Sequence, residues 1–230
     1  QIGSMLDKLK IESSFIDGLR ITNEETVEIV EMVLSGSINK DIVNKIHAAG
    51  GLAIGLSGKD AKLILANKLT DKFKDPNSNI EKFLDIGFVG KPIKINPSII
   101  NIISDNLMIP IIAPVGFGAN NETYNINADT AAGAIASSLK AERILLLTDV
   151  KGVLDSNKKL ISNISVTKAE SMISDKIITG GMIPKIKTCL ETVGSGVKAA
   201  VIIDGRSPHA ILREIFTTGG SGTMIDNNFE

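Results

Sequence analysis

Several stretches of the 230-residue chain carry side chains suited to handling an anion. Ser57-Gly58-Lys59-Asp60 and Thr179-Gly180-Gly181, the latter followed shortly by Lys185, each combine flexible backbone with a cation. Backbone amides and lysines placed this way suit phosphate, because phosphoryl transfer requires little of a protein beyond positioning and charge neutralisation. Lys185 carries the most weight. A cation near a helix start, already positive through the backbone dipole, is unfavourable unless an anion sits there; the alternative is a surface lysine solvated by water. In Asn125-Ile126-Asn127-Ala128-Asp129, Asp129 falls in the first turn of a helix and can orient neighbouring lysines, while Asn125 offers both a donor and an acceptor. Read alone, that segment is equally an ordinary helix start, where Asn and Asp are frequent. Arg20, after Asp17-Gly18-Leu19, suits a bidentate pair with a substrate carboxylate or a structural salt bridge.

Standard nucleotide signatures are missing. Gly58-Lys59 is followed by Asp60 and Gly90-Lys91 by Pro92, so neither supplies the hydroxyl that a P-loop offers to Mg²⁺. No G-x-G-x-x-G follows a strand, and there is no G-x-S-x-G elbow. Two histidines and one cysteine, Cys189, build neither a Cys/His zinc cluster nor an internal disulfide, so a reducing, cytoplasmic setting is expected and no protein-held metal. With 25 Lys plus Arg against 26 Asp plus Glu, the net charge of −1 offers no electrostatic basis for binding nucleic acid or a membrane surface. The apolar run 108–115 is broken by Pro110 and Pro114, far short of the roughly 20 residues of a membrane span.

The elements that must position these residues alternate between strand-like and helix-like segments, the pattern of an α/β protein with a largely parallel sheet. A helix end is expected over 4–9 and an extended or hairpin piece over 14–20. A capping box at Thr22 and Glu25 should open a helix with Val27, Val30, Val33 and Leu34 on one face, stopping at Ser35-Gly36. Asn39 should cap a second helix running to Ala49. Strand 52–56 then delivers Ser57 to Asp60 at its C-terminal end, where ligands bind in open α/β sheets. Strands follow over 62–68 and 88–95, a helix from Pro97 to Asn106, a strand over 109–113 and a Gly- and Asn-rich loop over 116–125. The polar stretch 71–79 reads as an exposed loop. Further on come a small-residue helix over 128–139, strand 143–147 with the turn Thr148 to Gly152, a loop or hairpin over 158–167, and helices over 168–174 and 182–193. Strand 199–203 and helix 208–216 end the pattern. Aromatic content of 3% and 21 glycines point to an aliphatic core, with backbone brought close to something at the glycines.

At these residues the chain resembles the acetylglutamate kinases of the amino acid kinase family. D-G-L-R-I-T, G-L-S-G-K-D, I-N-P-S-I-I, Y-N-I-N-A-D-T-A-A-G-A-I-A, L-L-T-D-V-K-G-V-L, G-G-M-I-P-K and I-I-D-G-R-S-P-H-A occur in the family's order over nearly the whole chain. The resemblance implies an α/β fold of a three-layer αβα sandwich around a mainly parallel sheet. Residues 1–140 would form the acetylglutamate-binding and dimerisation lobe, and residues 141–230 the ATP-binding lobe. It implies ATP-dependent phosphorylation of the side-chain carboxylate of N-acetyl-L-glutamate, the second step of arginine biosynthesis. Arg20 would hold a substrate carboxylate and Asn125 the substrate's other polar end. Lys185 would stabilise the transferring phosphoryl group and Asp129 would organise the catalytic lysines. Asp149, Val150, Gly152, Val153 and Leu154, with Thr179, Gly180 and Gly181, would contact the nucleotide, whose phosphates carry Mg²⁺. No general base is required, since a carboxylate is already a nucleophile.

The family's N-terminal strand, with its lysine, and the glycine-rich substrate loop after it find no match: Gln1-Ile2-Gly3 stands where the residues just beyond that loop are expected. Losing one transition-state donor costs about 100- to 1000-fold in rate, so the 230-residue chain by itself is expected to be nearly inactive. The segment 214–223 resembles the arginine-binding region of feedback-inhibited members, or is simply a helix end and glycine turn. Arginine is thus an expected inhibitor, beside a homodimer and, in the full-length protein, a hexamer. A reading from another class is a non-catalytic module of the same fold that senses arginine or acetylglutamate. Retention of Lys185, Asp129, Asn125 and Arg20 together favours the enzyme; carbamate, aspartate and uridylate kinases share the fold.

Overall fold

The computed structural model describes residues 1–16, 18–70, 72–74, 81–83 and 85–226. It realises the expected α/β alternation within two units, residues 1–131 and 132–230. In the first, α1 (Ile2–Leu9) buries Leu6 against Ile29 and Val33 of the next helical stretch. β1 (Phe15–Ile16) and β2 (Leu19–Arg20) form the anticipated hairpin, and α2 (Glu24–Glu31) follows. Its cap lies one residue later than the capping box predicts: Asn23 accepts from the Thr26 amide at 2.8 Å. Thr22 does not cap the helix, because its backbone is drawn into a parallel bridge with Gly87 and its hydroxyl donates to the Arg20 carbonyl at 2.8 Å.

The helix does not stop at Ser35-Gly36. It passes through a π-helical stretch, Met32–Ile38, directly into α3 (Asn39–Ala48). A mid-helix glycine costs about 1 kcal/mol, but Val33 and Ile38 pack with Leu6 and Ile29, and that burial outweighs the local cost. Asn39 is therefore no cap. It is buried, and its amide donates to the Leu56 and Ile111 carbonyls at 3.0 and 2.8 Å. Those carbonyls belong to β3 (Ala53–Ser57) and to the strand paired parallel with it.

β4 (Ile64–Lys68) comes next, then β5 (Lys72–Lys74), inside the stretch 71–79 expected as a loop, which pairs antiparallel with β6 (Glu81–Phe83); residues 71 and 75–79 of that stretch lie outside the described residues. β7 (Val89–Ile95), α4 (Ser98–Asp105) and β8 (Ile109–Ala113) match the sequence reading, β8 being the partner of β3. The Gly- and Asn-rich segment 116–125 is not a loop but a hairpin of β9 (Val115–Phe117) and β10 (Thr123–Ile126), turned where the Gly118 amide meets the Glu122 carbonyl at 2.8 Å. β10, β7, β4 and β9 close into a small barrel filled by Ile64, Ala66, Val89, Val115, Tyr124 and Ile126. Closure leaves no edge among these short strands.

The second unit takes up α5 (Ala128–Leu139), whose first turn lies in the first unit, and builds on β11 (Arg143–Thr148), β12 (Asn163–Ser165), α6 (Val166–Ser174), α7 (Met182–Gly194), β13 (Ala199–Asp204), α8 (Ala210–Phe216) and β14 (Gly222–Asp226). The sheet order is β11-β13-β14-β12. β13 is not the last strand: β14 returns antiparallel to it and pairs parallel with β12. The side-chain period of two along β13 sends Ala200 and Ile202 to α5, α6 and α7, and Val201 and Ile203 to Ala210 of α8, giving three layers within this unit. Among the described residues no helix is long and apolar enough to cross a membrane.

Candidate functional site

Asn125 lies on β10 between buried Tyr124 and Ile126, so the pleat turns it to the opposite side together with Thr123. Its backbone amide donates to the Phe88 carbonyl at 2.8 Å, and its side-chain Nδ2 lies 3.3 Å from the Thr22 hydroxyl. Since that hydroxyl donates to the Arg20 carbonyl, two of the sequence-identified residues, Arg20 and Asn125, are joined through one buried threonine. The Arg20 guanidinium donates to Ser13 Oγ and stacks 4.4 Å from the centre of the Phe15 ring. Burial pushes its pKa down, with Asp7 opposing, and it stays cationic.

Thr123, on the same side of β10, receives Lys59 Nζ at 3.0 Å, and Lys59 is ion-paired with Glu31 at 2.9 Å. In the loop 57–60 Glu31 pairs with the lysine, and Asp60 accepts from the Ser57 amide and hydroxyl at 2.6 and 2.9 Å. Asp129 sits in the first turn of α5, behind Asn127, whose side chain caps the helix by accepting from the Thr130 amide at 3.1 Å.

In the second unit, β11 and β13 are parallel neighbours, and their carboxyl ends carry the loops beginning Asp149 and Gly205, joined where the Gly205 amide donates to the Thr148 carbonyl at 2.8 Å. Asp149, Val150 and Leu154 are exposed there, whereas Val153 is core: its side chain is buried and its amide donates to Thr223 Oγ1 at 2.8 Å. Gly152, at φ 138°, has no room for a side chain, since a Cβ would lie 2.6 Å from the same hydroxyl. Val153 and Gly152 therefore shape the loop from below.

Sequence reasoning missed Asp204 and Arg206, at the carboxyl end of β13. Arg206 donates to both Asp204 oxygens at 3.0 Å, and this pairing, with the Arg206 amide and Lys151 adding to it, holds the Asp204 carboxyl at about 2. The signal was the D-G-R triplet ending a strand. α7 packs on β13 and reaches it through a short connection, so it runs against the strand direction and its N-terminus points to the same carboxyl edge. Thr179, Gly180 and Gly181 are exposed before it, Gly180 in the left-handed region at φ 58°, and a Cβ on either glycine would meet nothing within 4 Å. The open glycine pair thus precedes a positive helix end, with Lys185 in the next turn.

These features meet in one set of relatives. Residues 1–204 match the Amino acid kinase family. The chain is 61% identical over 225 residues to an acetylglutamate kinase of Rhodospirillum centenum, covering 98% of this chain and 74% of that protein. Among solved structures, smu.665 from Streptococcus mutans UA159 superposes with a TM-score of 0.78 at 29% identity, covering 99% of this chain and 82% of that one. An N-acetylglutamate synthase from Neisseria gonorrhoeae, complexed with coenzyme A and N-acetyl-glutamate, shares the fold at a TM-score of 0.82 and 20% identity over 100% of this chain and 50% of its own. An α/β chain with a glycine-opened helix start, a lysine one turn on and this extent of likeness belongs to the amino acid kinase family.

Proposed function

We propose that the chain transfers the γ-phosphoryl group of ATP to the side-chain carboxylate of N-acetyl-L-glutamate, forming N-acetyl-L-glutamyl 5-phosphate in arginine biosynthesis. The observation that carries this reading is the 61% identity to an acetylglutamate kinase over 98% of the chain. In it, residues 1–140 bind acetylglutamate through Arg20 and Asn125, and residues 141–230 bind ATP through Asp149 to Leu154 and Thr179 to Gly181. A carboxylate oxygen attacks the γ-phosphorus, the new P–O bond forms as the β–γ bridge breaks, and ADP leaves. Lys185 offsets the charge gathering on the equatorial oxygens, and Asp129 orients the lysines. In this reading Mg²⁺ is carried by the phosphates of ATP, where it neutralises charge. A cytoplasmic homodimer, hexameric in the full-length protein, and arginine feedback through segment 214–223 complete the proposal.

The test uses the product of the complete reading frame, incubated with ATP, Mg²⁺ and hydroxylamine, which traps an acyl phosphate as its hydroxamate. Hydroxamate and ADP should form with acetylglutamate and not with carbamate, aspartate or uridylate. ADP release with one of those instead, or binding of arginine or acetylglutamate without any ADP release, would overturn the proposal.

A further inference from the structure

We infer that Thr22 is a positioning residue that sets the orientation of the Asn125 amide and so decides which group of the substrate Asn125 receives. The inference rests on the reading of acetylglutamate as substrate, and it follows from counting protons. A threonine hydroxyl has one hydrogen and two lone pairs. In Thr22 the hydrogen is committed to the Arg20 carbonyl at 2.8 Å, and the residue is wholly shielded from water, so no solvent molecule can offer a different partner. The hydroxyl can therefore only accept from Asn125, and the Nδ2 group is what faces it, at 3.3 Å. Oδ1, on the other branch of the amide, is left as the acceptor for a ligand. The only uncharged donor of N-acetylglutamate is its acetamido N–H.

The geometry is held rigidly on both sides. The Thr22 amide donates to the Ile86 carbonyl at 2.9 Å, the Phe88 amide donates to the Thr22 carbonyl at 2.6 Å, and the Phe88 carbonyl receives the Asn125 amide at 2.8 Å. Thr22 and Asn125 thus flank one segment, residues 86–88, which fixes their spacing independently of the two side chains. Without the hydroxyl no hydrogen bond from the described residues distinguishes the two ends of the carboxamide, and a rotated Asn125 turns a donor toward the substrate's donor.

The experiment compares Thr22→Val, which keeps the shape and removes the hydroxyl, with Thr22→Ser, which restores it, in the product of the complete reading frame. Loss of one such hydrogen bond should raise the KM for acetylglutamate about tenfold in Thr22→Val, with the KM for ATP unchanged and Thr22→Ser close to the parent. For 2-acetoxyglutarate, whose ester lacks the N–H, the parent and Thr22→Val should have equal KM. An unchanged KM for acetylglutamate, an equal rise for both substrates, or failure of Thr22→Ser to restore it would overturn the inference. A second arm needs no turnover: in the 230-residue chain labelled with ¹⁵N-asparagine, rotation of the Asn125 side-chain amide should be slow in the parent and in Thr22→Ser and faster in Thr22→Val. Unchanged rotation refutes the role of Thr22 directly, whereas absence of hydroxamate from the unsubstituted protein refutes the substrate reading and leaves this arm to decide.

Discussion

At Gly87 the backbone takes φ 78° and passes so near Thr22 that an added Cβ would lie 2.0 Å from its carbonyl oxygen. Neither obstacle yields by moving a flexible side chain, so Gly87→Ala should destabilise the protein by more than about 2 kcal/mol, read as a lower urea midpoint. A different kind of residue-scale effect is expected at the carboxyl end of β13. The Asp204 carboxyl, held at about 2 against an ordinary 3.8 by Arg206, binds its proton less readily folded than unfolded. Its contribution to stability is complete above the ordinary value and disappears as pH falls from 3.8 toward about 2. Arg206→Met should return the Asp204 midpoint toward 3.8, measured by carboxyl carbon NMR titration. Residue identities alone suggested Arg20, Asn125, Asp129 and Lys185 as candidates, because each is a charged or bifunctional group at a loop or helix start. Local sequence marks Thr22 only as a helix cap and does not mark Asp204, because the role of each depends on partners that local sequence does not name.

Helix and strand boundaries divide along the same line. α4, α5, α7, β8 and β11 were legible because periodicity, Pro97 and the glycines of Gly180-Gly181 act within a few residues. The continuation of α2 through Ser35-Gly36 into α3 was not, since packing against Leu6 and Ile29 overrides the local break. Composition alone marks Asn39 as a cap, whereas it ties α3 to the parallel pair β3 and β8. Asn39→Ala leaves two carbonyls without their donor and should cost about 1–3 kcal/mol. A fall in thermal midpoint checks this, and Asn39→Asp should be no better, because a carboxylate cannot donate to either oxygen.

For the molecule as a whole, the proposal divides kinetic effects between residues 1–140 and 141–230. Asn125→Ala should raise the KM for acetylglutamate and spare that for ATP, whereas Lys185→Met should lower kcat about 100- to 1000-fold with little change in the acetylglutamate KM; steady-state hydroxamate assays on the complete reading-frame product check both. The amino-acid sequence by itself determined the α/β class, most helices, the near-neutral charge and the motifs that tie the chain to its family. It could do so because hydrophobic period, capping and glycine placement are short-range properties. Only the tertiary structure decided that 116–125 is two barrel strands, that β14 follows α8, that Lys59 is neutralised by Glu31 and that Val153 is core. The barrel strands, β14 and the Lys59 pair depend on a ladder partner or a counter-charge elsewhere in the chain, and the burial of Val153 on core packing and the distant Thr223 hydroxyl; a strand of three to five residues carries too little pattern of its own to announce which partner it will meet.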